Sequence, residues 1–170
     1  MMKRLLMLGL LFAATAQALP DAVRNEAAAW SRWGSGEMTW FGFSLYRATL
    51  WVAGDSLEAS SSALQLDYQR DIPRERLVQN SLDEMRRLGA DETQLTRWDA
   101  DLRRVFPDVK AGESIVGVHR PGRGASFFHQ GRATGEIDDA EFARRFFAIW
   151  LDPASRSPAL RSALLKRPQG

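Results

Sequence analysis

Residues 40–52 read WFGFSLYRATLWV. Aromatic side chains (Trp40, Phe41, Phe43, Tyr46, Trp51), β-branched ones (Thr49, Val52) and long aliphatic ones crowd this stretch, which has no proline and one glycine. That composition fits a pleated, packed surface. Side chains alternate along a strand. One face is therefore predicted to carry Phe41, Phe43, Leu45, Arg47, Thr49 and Trp51, and the other Trp40, Gly42, Ser44, Tyr46, Ala48 and Leu50. Both faces are largely apolar. The run is expected to be a long central strand, covered on both sides or covered on one side and lining a pocket on the other.

Working outward, residues 30–33 are expected as a first strand that returns on residues 38–52 through a turn at Gly34-Ser35-Gly36. Upstream, Pro20-Asp21 starts a short helix. Downstream, Gly54-Asp55 ends the strand, and residues 58–62 form a small polar loop. Residues 63–70 alternate Leu64, Leu66 and Tyr68 against Gln65, Asp67 and Gln69, a strand with one wet face. Asp71-Ile72-Pro73 opens a helix through Leu88, with Leu77, Val78, Leu82, Met85 and Leu88 on one arc, Ser81 inside that arc and Gly89 as the stop. A second helix runs from the N-cap Asp91 to Phe106, burying Leu95, Trp98, Leu102 and Val105. Residues 115–119, 125–129 and 133–137 read as an antiparallel meander, because their links are too short for parallel crossovers. Asp138 and Glu141 have capping-box spacing and start a helix to Leu151. Ser157-Pro158 starts the last one, residues 159–165. Strands, two helices, strands, two helices: the class is α+β, an antiparallel sheet with helices on one face.

Residues 1–18 have the parts of a secretory signal peptide: Lys3 and Arg4, an apolar run over 5–14, and the small-x-small site Ala16-Gln17-Ala18. The expectation is a leader cleaved after Ala18, then one domain over residues 19–170, located in the periplasm. The apolar run is shorter than the ~20 residues of a membrane span, and no later stretch is apolar enough, so no stable span is expected after cleavage. Cysteine is absent, which excludes disulfides, thiol catalysis and thiolate metal sites. Loss of Lys3 and Arg4 takes the formal charge from +2 to zero. Arginines and acids are interleaved with no basic stripe, so a nucleic-acid partner is not expected.

The usual catalytic constellations are missing. His119 and His129 are too few for a metal site, and no metal or other cofactor is expected. No serine stands in a Gly-x-Ser-x-Gly elbow. Pro121-Gly122-Arg123-Gly124 is a turn, lacking the Gly-Lys-Ser/Thr ending of a phosphate loop. Arg47 fits its surroundings least. Desolvating a guanidinium is costly without a partner. It is read either as a stem-packed arginine with its head in water, as paired with Glu84 or Asp67, or as a fork holding a carboxylate or enolate at the mouth of an apolar pocket. Tyr46, Tyr68, Asn80 and Ser81 are the other polar groups near apolar faces. Six tryptophans and nine phenylalanines suffice either for a generous core or for the lining of such a pocket.

Several of these stretches resemble the chalcone isomerase-like family, in its exported bacterial branch: Phe41-Gly42-Phe43-Ser44-Leu45-Tyr46-Arg47-Ala48, the helix after Ile72-Pro73 with Ser81-Leu82-Asp83-Glu84-Met85-Arg86-Arg87, Gly112-Glu113-Ser114-Ile115, Gly131 and Gly135, and Ser157-Pro158-Ala159-Leu160. The resemblance covers residues 33–165. It implies an open-faced β-sandwich, a large antiparallel sheet and a helical layer with a cleft between them. In the plant isomerases that cleft closes a flavanone ring with a strand Thr, an upstream Arg, and a Tyr and Asn on the first long helix; fatty-acid-binding relatives use Arg and Tyr for a carboxylate. Carried over, the pattern puts Phe41 at the Thr, Asn80 at the helix Asn, and Arg32, shifted, at the Arg; Ile72-Pro73-Arg74 offers no Tyr.

With the Thr and Tyr unmatched, no catalytic residue is assigned. The resemblance instead implies a non-catalytic periplasmic binding module whose cleft holds a fatty acid or similar apolar carboxylate, with Arg47, Tyr46, Phe41, Phe43, Asn80 and Ser81 as the ligand-contacting set. Two alternatives stand beside it. One is an isomerase or intramolecular lyase using Asn80, Arg47 and Tyr46; the other is an envelope interaction protein with a filled core and no ligand. No protein partner is identified by the sequence.

Overall fold

The computed structural model describes residues 18–27 and 29–167; apart from Ala18, the expected leader lies outside the described residues. A short helix α1 (Asp21–Arg24) precedes strands β1 (Ser31–Trp40), β2 (Phe43–Val52) and β3 (Ser62–Tyr68). Helices α2 (Arg74–Arg87) and α3 (Glu92–Val105) follow, then β4 (Ser114–Arg120), β5 (Gly124–His129) and β6 (Arg132–Ile137), and finally α4 (Ala140–Leu151) and α5 (Pro158–Leu164). The six strands lie side by side in chain order, and every neighbouring pair is antiparallel. The fold is the expected α+β meander.

Alternation of apolar side chains covers the sheet on both faces. The main core joins Ala48, Leu50, Leu64, Ile115 and Phe127 of the sheet to Val78, Trp98, Phe142, Phe146 and Leu160 of the helices. On the other face, Leu19 and Val23 of the N-terminal segment close over Ala63, Val116, Val118 and Phe128, with Trp30 and Trp51 packed alongside. Burying one such large side chain stabilises by roughly 1.5–3 kcal/mol. This second cover explains one departure from expectation. The supposedly wet face of β3 is largely dry: Gln65 is buried and gives its amide to Asp67 Oδ1 at 3.0 Å.

The helix boundaries follow local chemistry. Pro73 precedes α2, where its missing N–H costs nothing. Asp91 closes a capping box with Gln94 at the start of α3. Asp139, one residue after the expected cap Asp138, caps α4: its Oδ1 accepts from the backbone N–H groups of Glu141 and Phe142. Its Oδ2 accepts from the Trp98 indole at 3.0 Å, tying α4 to α3.

The first hairpin differs most from the sequence reading. Gly34-Ser35-Gly36 lies within β1, and the chain reverses at Phe41-Gly42, with Trp40 and Phe43 paired across the turn. β2 is consequently the second strand of the sheet, not a central one, and starts at Phe43 rather than Trp40. The two β1 glycines serve close approach. A Cβ on Gly34 would run into the carbonyl oxygens of Ala163 and Leu164, and one on Gly36 would stand 2.9 Å from both the Ala163 and Leu160 side chains. The turn itself has φ of +47° at Phe41 and +79° at Gly42, as a two-residue type I′ connection requires. Glycine takes that conformation freely; an L-residue such as Phe41 pays roughly 1–2 kcal/mol.

Candidate ligand-binding cavity

Between the sheet and the helices lies a cavity of about 860 Å³. Its walls are apolar: Leu64 and Leu66 from β3, Ile115 from β4, Phe127 from β5, Phe106 after α3, Phe146, Phe147 and Trp150 from α4. Gly117 lets the Phe147 and Phe127 rings close onto the β4 backbone, since a Cβ there would sit 3.2 Å from the one and 3.4 Å from the other. Exposed lining residues, among them Trp40, Arg70, Asp71, Arg76, Asn80, Asp83 and Arg156, form the rim.

Strand pairing sets the polar groups of this space. Tyr46 and Tyr68 face each other in the β2–β3 register, their rings edge to face with centroids 5.7 Å apart. The register of β1 on β2 slips between Met38 and Thr39, leaving Leu45 as an extra residue. A bulge re-aims side chains beside it, and Leu45 lines the cavity together with Tyr46. Strict alternation, which assigned Leu45 to the face of Arg47, fails at this point.

The Tyr46 hydroxyl accepts a hydrogen bond from the Trp150 indole at 2.9 Å, so its own proton remains to be given. Burial pushes the Tyr46 phenol up to about 12; the Trp150 bond opposes this and the nearby Glu84 carboxylate adds to it. Tyr68 is 5% exposed, and its hydroxyl has no hydrogen-bond partner among the described residues. Burial, and secondarily the neighbouring Tyr46, push its phenol far up as well. Both phenols stay protonated at neutral pH and act as hydrogen-bond donors inside an apolar chamber. A donor without a partner in apolar surroundings is costly, and such a donor can take an acceptor oxygen from a bound molecule.

Of the residues named from the sequence, Tyr46, Asn80 and Ser81 line the cavity. Ser81 spends its proton on the Leu77 carbonyl at 2.8 Å, so only its lone pairs remain. Arg47 is outside the lining: it pairs with Glu37 across β1 at 2.7 Å, with both side chains more than two-fifths exposed. Glu84, one of the partners considered for it, instead holds Arg87 and Arg156. Phe41 and Phe43 stand at the hairpin tip, also outside the lining. The cations that do reach the cavity are Arg70, Arg76 and Arg156; as isolated arginines in polar stretches they gave no signal in the sequence. Tyr68 was legible as a buried polar residue, and only the paired strands bring it to Tyr46.

His119 and His129 lie toward opposite ends of the β4–β5 ladder. His119 stacks on Phe147, and burial lowers its pKa; His129 contacts Glu113. No group of His, Cys, Asp and Glu able to hold a metal occurs among the described residues. A second depression, of about 610 Å³, lies where α3 meets the start of α4. It is open, and four of its charged residues are committed to one another in the pairs Arg97–Asp139 and Arg104–Asp101.

The sequence family described as Chalcone isomerase-like matches residues 14–166. Among solved structures, the Arabidopsis thaliana fatty-acid-binding protein superposes with a TM-score of 0.62 at 12% identity, covering 82% of this chain and 89% of that one. Comparison of the sequence with curated proteins finds no match.

Proposed function

We infer, from the premise that this chain belongs to the chalcone isomerase-like family, that it is an exported, periplasmic binding module holding one fatty acid or similar apolar carboxylate. The observation that carries this reading is the pair of buried phenols. Tyr46 has a proton to give and the Tyr68 hydroxyl has no hydrogen-bond partner among the described residues, both in a chamber walled largely by aliphatic and aromatic side chains. The carboxylate takes these two donors, near the end of β3 where Arg70 and Arg76 supply positive charge, and the acyl chain runs inward along Leu64, Phe127 and Phe147. The volume of about 860 Å³ lies within the ~300–1,000 Å³ of small-ligand sites. The fatty-acid-binding neighbour of the same fold supports the reading. Of the three residues the isomerase alternative draws on, Tyr46 and Asn80 line the cavity, and Arg47 lies outside it, paired with Glu37.

The test is calorimetric titration with palmitic acid and with its methyl ester. The acid is expected to bind one to one and more tightly than the ester. Tyr68→Phe removes one hydrogen bond to a charged oxygen and should weaken acid binding by roughly tenfold or more, with a smaller effect on the ester. Equal affinity for acid and ester, or acid binding indifferent to Tyr68, refutes the carboxylate contact. Fractionation of the source cells, with N-terminal sequencing expected to begin at Leu19, tests the compartment.

A further inference from the structure

Trp40, Phe41 and Phe43 are the large hydrophobic residues left exposed among the described residues, at 62%, 85% and 59%. Single apolar side chains on a surface need no explanation, whereas three aromatics gathered on one hairpin tip do. The Trp40 and Phe41 rings meet edge to face at 5.1 Å. Phe41 takes the left-handed position of the turn, which asparagine or glycine occupies more easily. The backbone is thus strained to project a ring that buries almost nothing against its own chain.

The charges around the tip are unbalanced. The Arg70 guanidinium lies 4.7 Å above the Phe43 ring. Arg70 and Arg76 carry no ion pair among the described residues. The acids on the same rim are each covered: Asp71 by Lys110, Asp83 by Arg86, and Glu84 by Arg87 and Arg156. The rim therefore presents two uncompensated guanidinium groups beside three exposed aromatics. Trp40 and Arg70 also line the cavity, so the tip is continuous with its mouth.

We propose that this hairpin tip docks the protein on an anionic phospholipid bilayer, with the Trp40, Phe41 and Phe43 rings entering the interface and Arg70 and Arg76 meeting the headgroups. Aromatic side chains favour the boundary between headgroups and hydrocarbon, and clustered cations beside them favour anionic lipid. Both classes of side chain are satisfied by one surface, and the cavity mouth is brought onto it. This goes beyond the cavity's ligand and does not depend on it.

The experiment is flotation of the full chain with phosphatidylglycerol-containing vesicles and with pure phosphatidylcholine vesicles, all free of fatty acid. The wild-type chain should float with the anionic vesicles, and less so as salt is raised. Phe41→Asn should weaken partition by roughly tenfold or more, while its thermal midpoint stays at or above that of the wild type, because asparagine suits the turn. Trp40→Ser should also weaken partition, and Arg70→Gln should weaken it about fivefold with a shallower salt dependence. All variants share one N terminus, so the differences report on the tip alone. If the wild type does not float with anionic vesicles, the proposal is overturned and a protein surface becomes the tip's occupant. Flotation unchanged in folded Phe41→Asn and Trp40→Ser overturns it equally. Loss of palmitate binding with flotation intact refutes the cavity reading alone.

Discussion

Replacing Gly34 by alanine separates two physical roles for the same residue. A glycine in an ordinary turn, held at negative φ, accepts alanine readily, and such a change often stabilises by ~0.4–1 kcal/mol through the unfolded chain. Gly34 is not among the residues with positive φ, so its backbone places no bar on alanine. What bars it is α5: the new methyl group would run into the carbonyl oxygens of Ala163 and Leu164. Those atoms belong to a helix end whose Leu160 and Leu164 are buried in the main core, so relief requires shifting the helix. Overpacking of this kind costs about 1–3 kcal/mol. At ~2–4 °C per kcal/mol for a chain of this size, Tm should fall by roughly 2–12 °C. Gly36→Ala supplies the internal control, because its methyl group would meet side chains instead, Ala163 Cβ and Leu160 Cδ1 at 2.9 Å each. In a double-mutant cycle by urea unfolding, Ala163→Gly should recover part of the Gly36→Ala loss and none of the Gly34→Ala loss. A Gly34→Ala protein as stable as the wild type, or one rescued by Ala163→Gly, would refute the close-approach argument.

Two further outcomes follow from the site. Arg47→Ala should leave palmitate affinity unchanged and cost at most ~1 kcal/mol of stability, the range for exposed ion pairs such as Arg47–Glu37; a large drop in affinity would return Arg47 to the binding site. Tyr46 and Tyr68 are the chain's two tyrosines, so phenolate absorbance reads the cavity directly. Their folded pKa values lie above the ordinary 10.0, with Tyr46 at about 12. The folded state therefore holds these protons more tightly than the unfolded one, and their linkage contribution is fully present below pH 10 and lost as pH rises toward the folded values. No phenolate signal should accompany passage through pH 10 in the folded protein, and ordinary titration of both tyrosines there would disprove their burial.

Much of the fold could be read from local chemistry. The apolar arcs of α2 and α3, their stops at Gly89 and Pro107, and the short links of the β4–β6 meander each have one cheap local solution. The reading failed where a residue's reason is a distant neighbour. Gly34 and Gly36 look like turn punctuation, yet they answer to α5, more than a hundred residues later. Phe41 looks like strand interior because bulky aromatics rarely take positive φ, and no local rule warns that the chain turns on it. Gln65 looks solvated until the N-terminal segment closes over the back of the sheet.

The candidate site shows the same division more sharply. Arg47 drew attention because a cation among aromatics is locally anomalous, and the anomaly dissolves once Glu37 stands opposite it in the register. Tyr46 and Tyr68 are individually unremarkable, since a tyrosine on a strand is an ordinary core residue. Their importance arises from pairing two strands so that both hydroxyls enter one apolar chamber, where Trp150 engages one and nothing in the described chain engages the other. Sequence periodicity reports which side of a strand a residue faces, but not whether the atoms beyond it leave a space. The space depends on volumes contributed by eight separate elements, including the rings of Phe127 and Phe147 that close over the bare backbone of Gly117. A cavity of this kind is a property of what the core fails to fill. It becomes visible only when a donor is found there with no acceptor of its own.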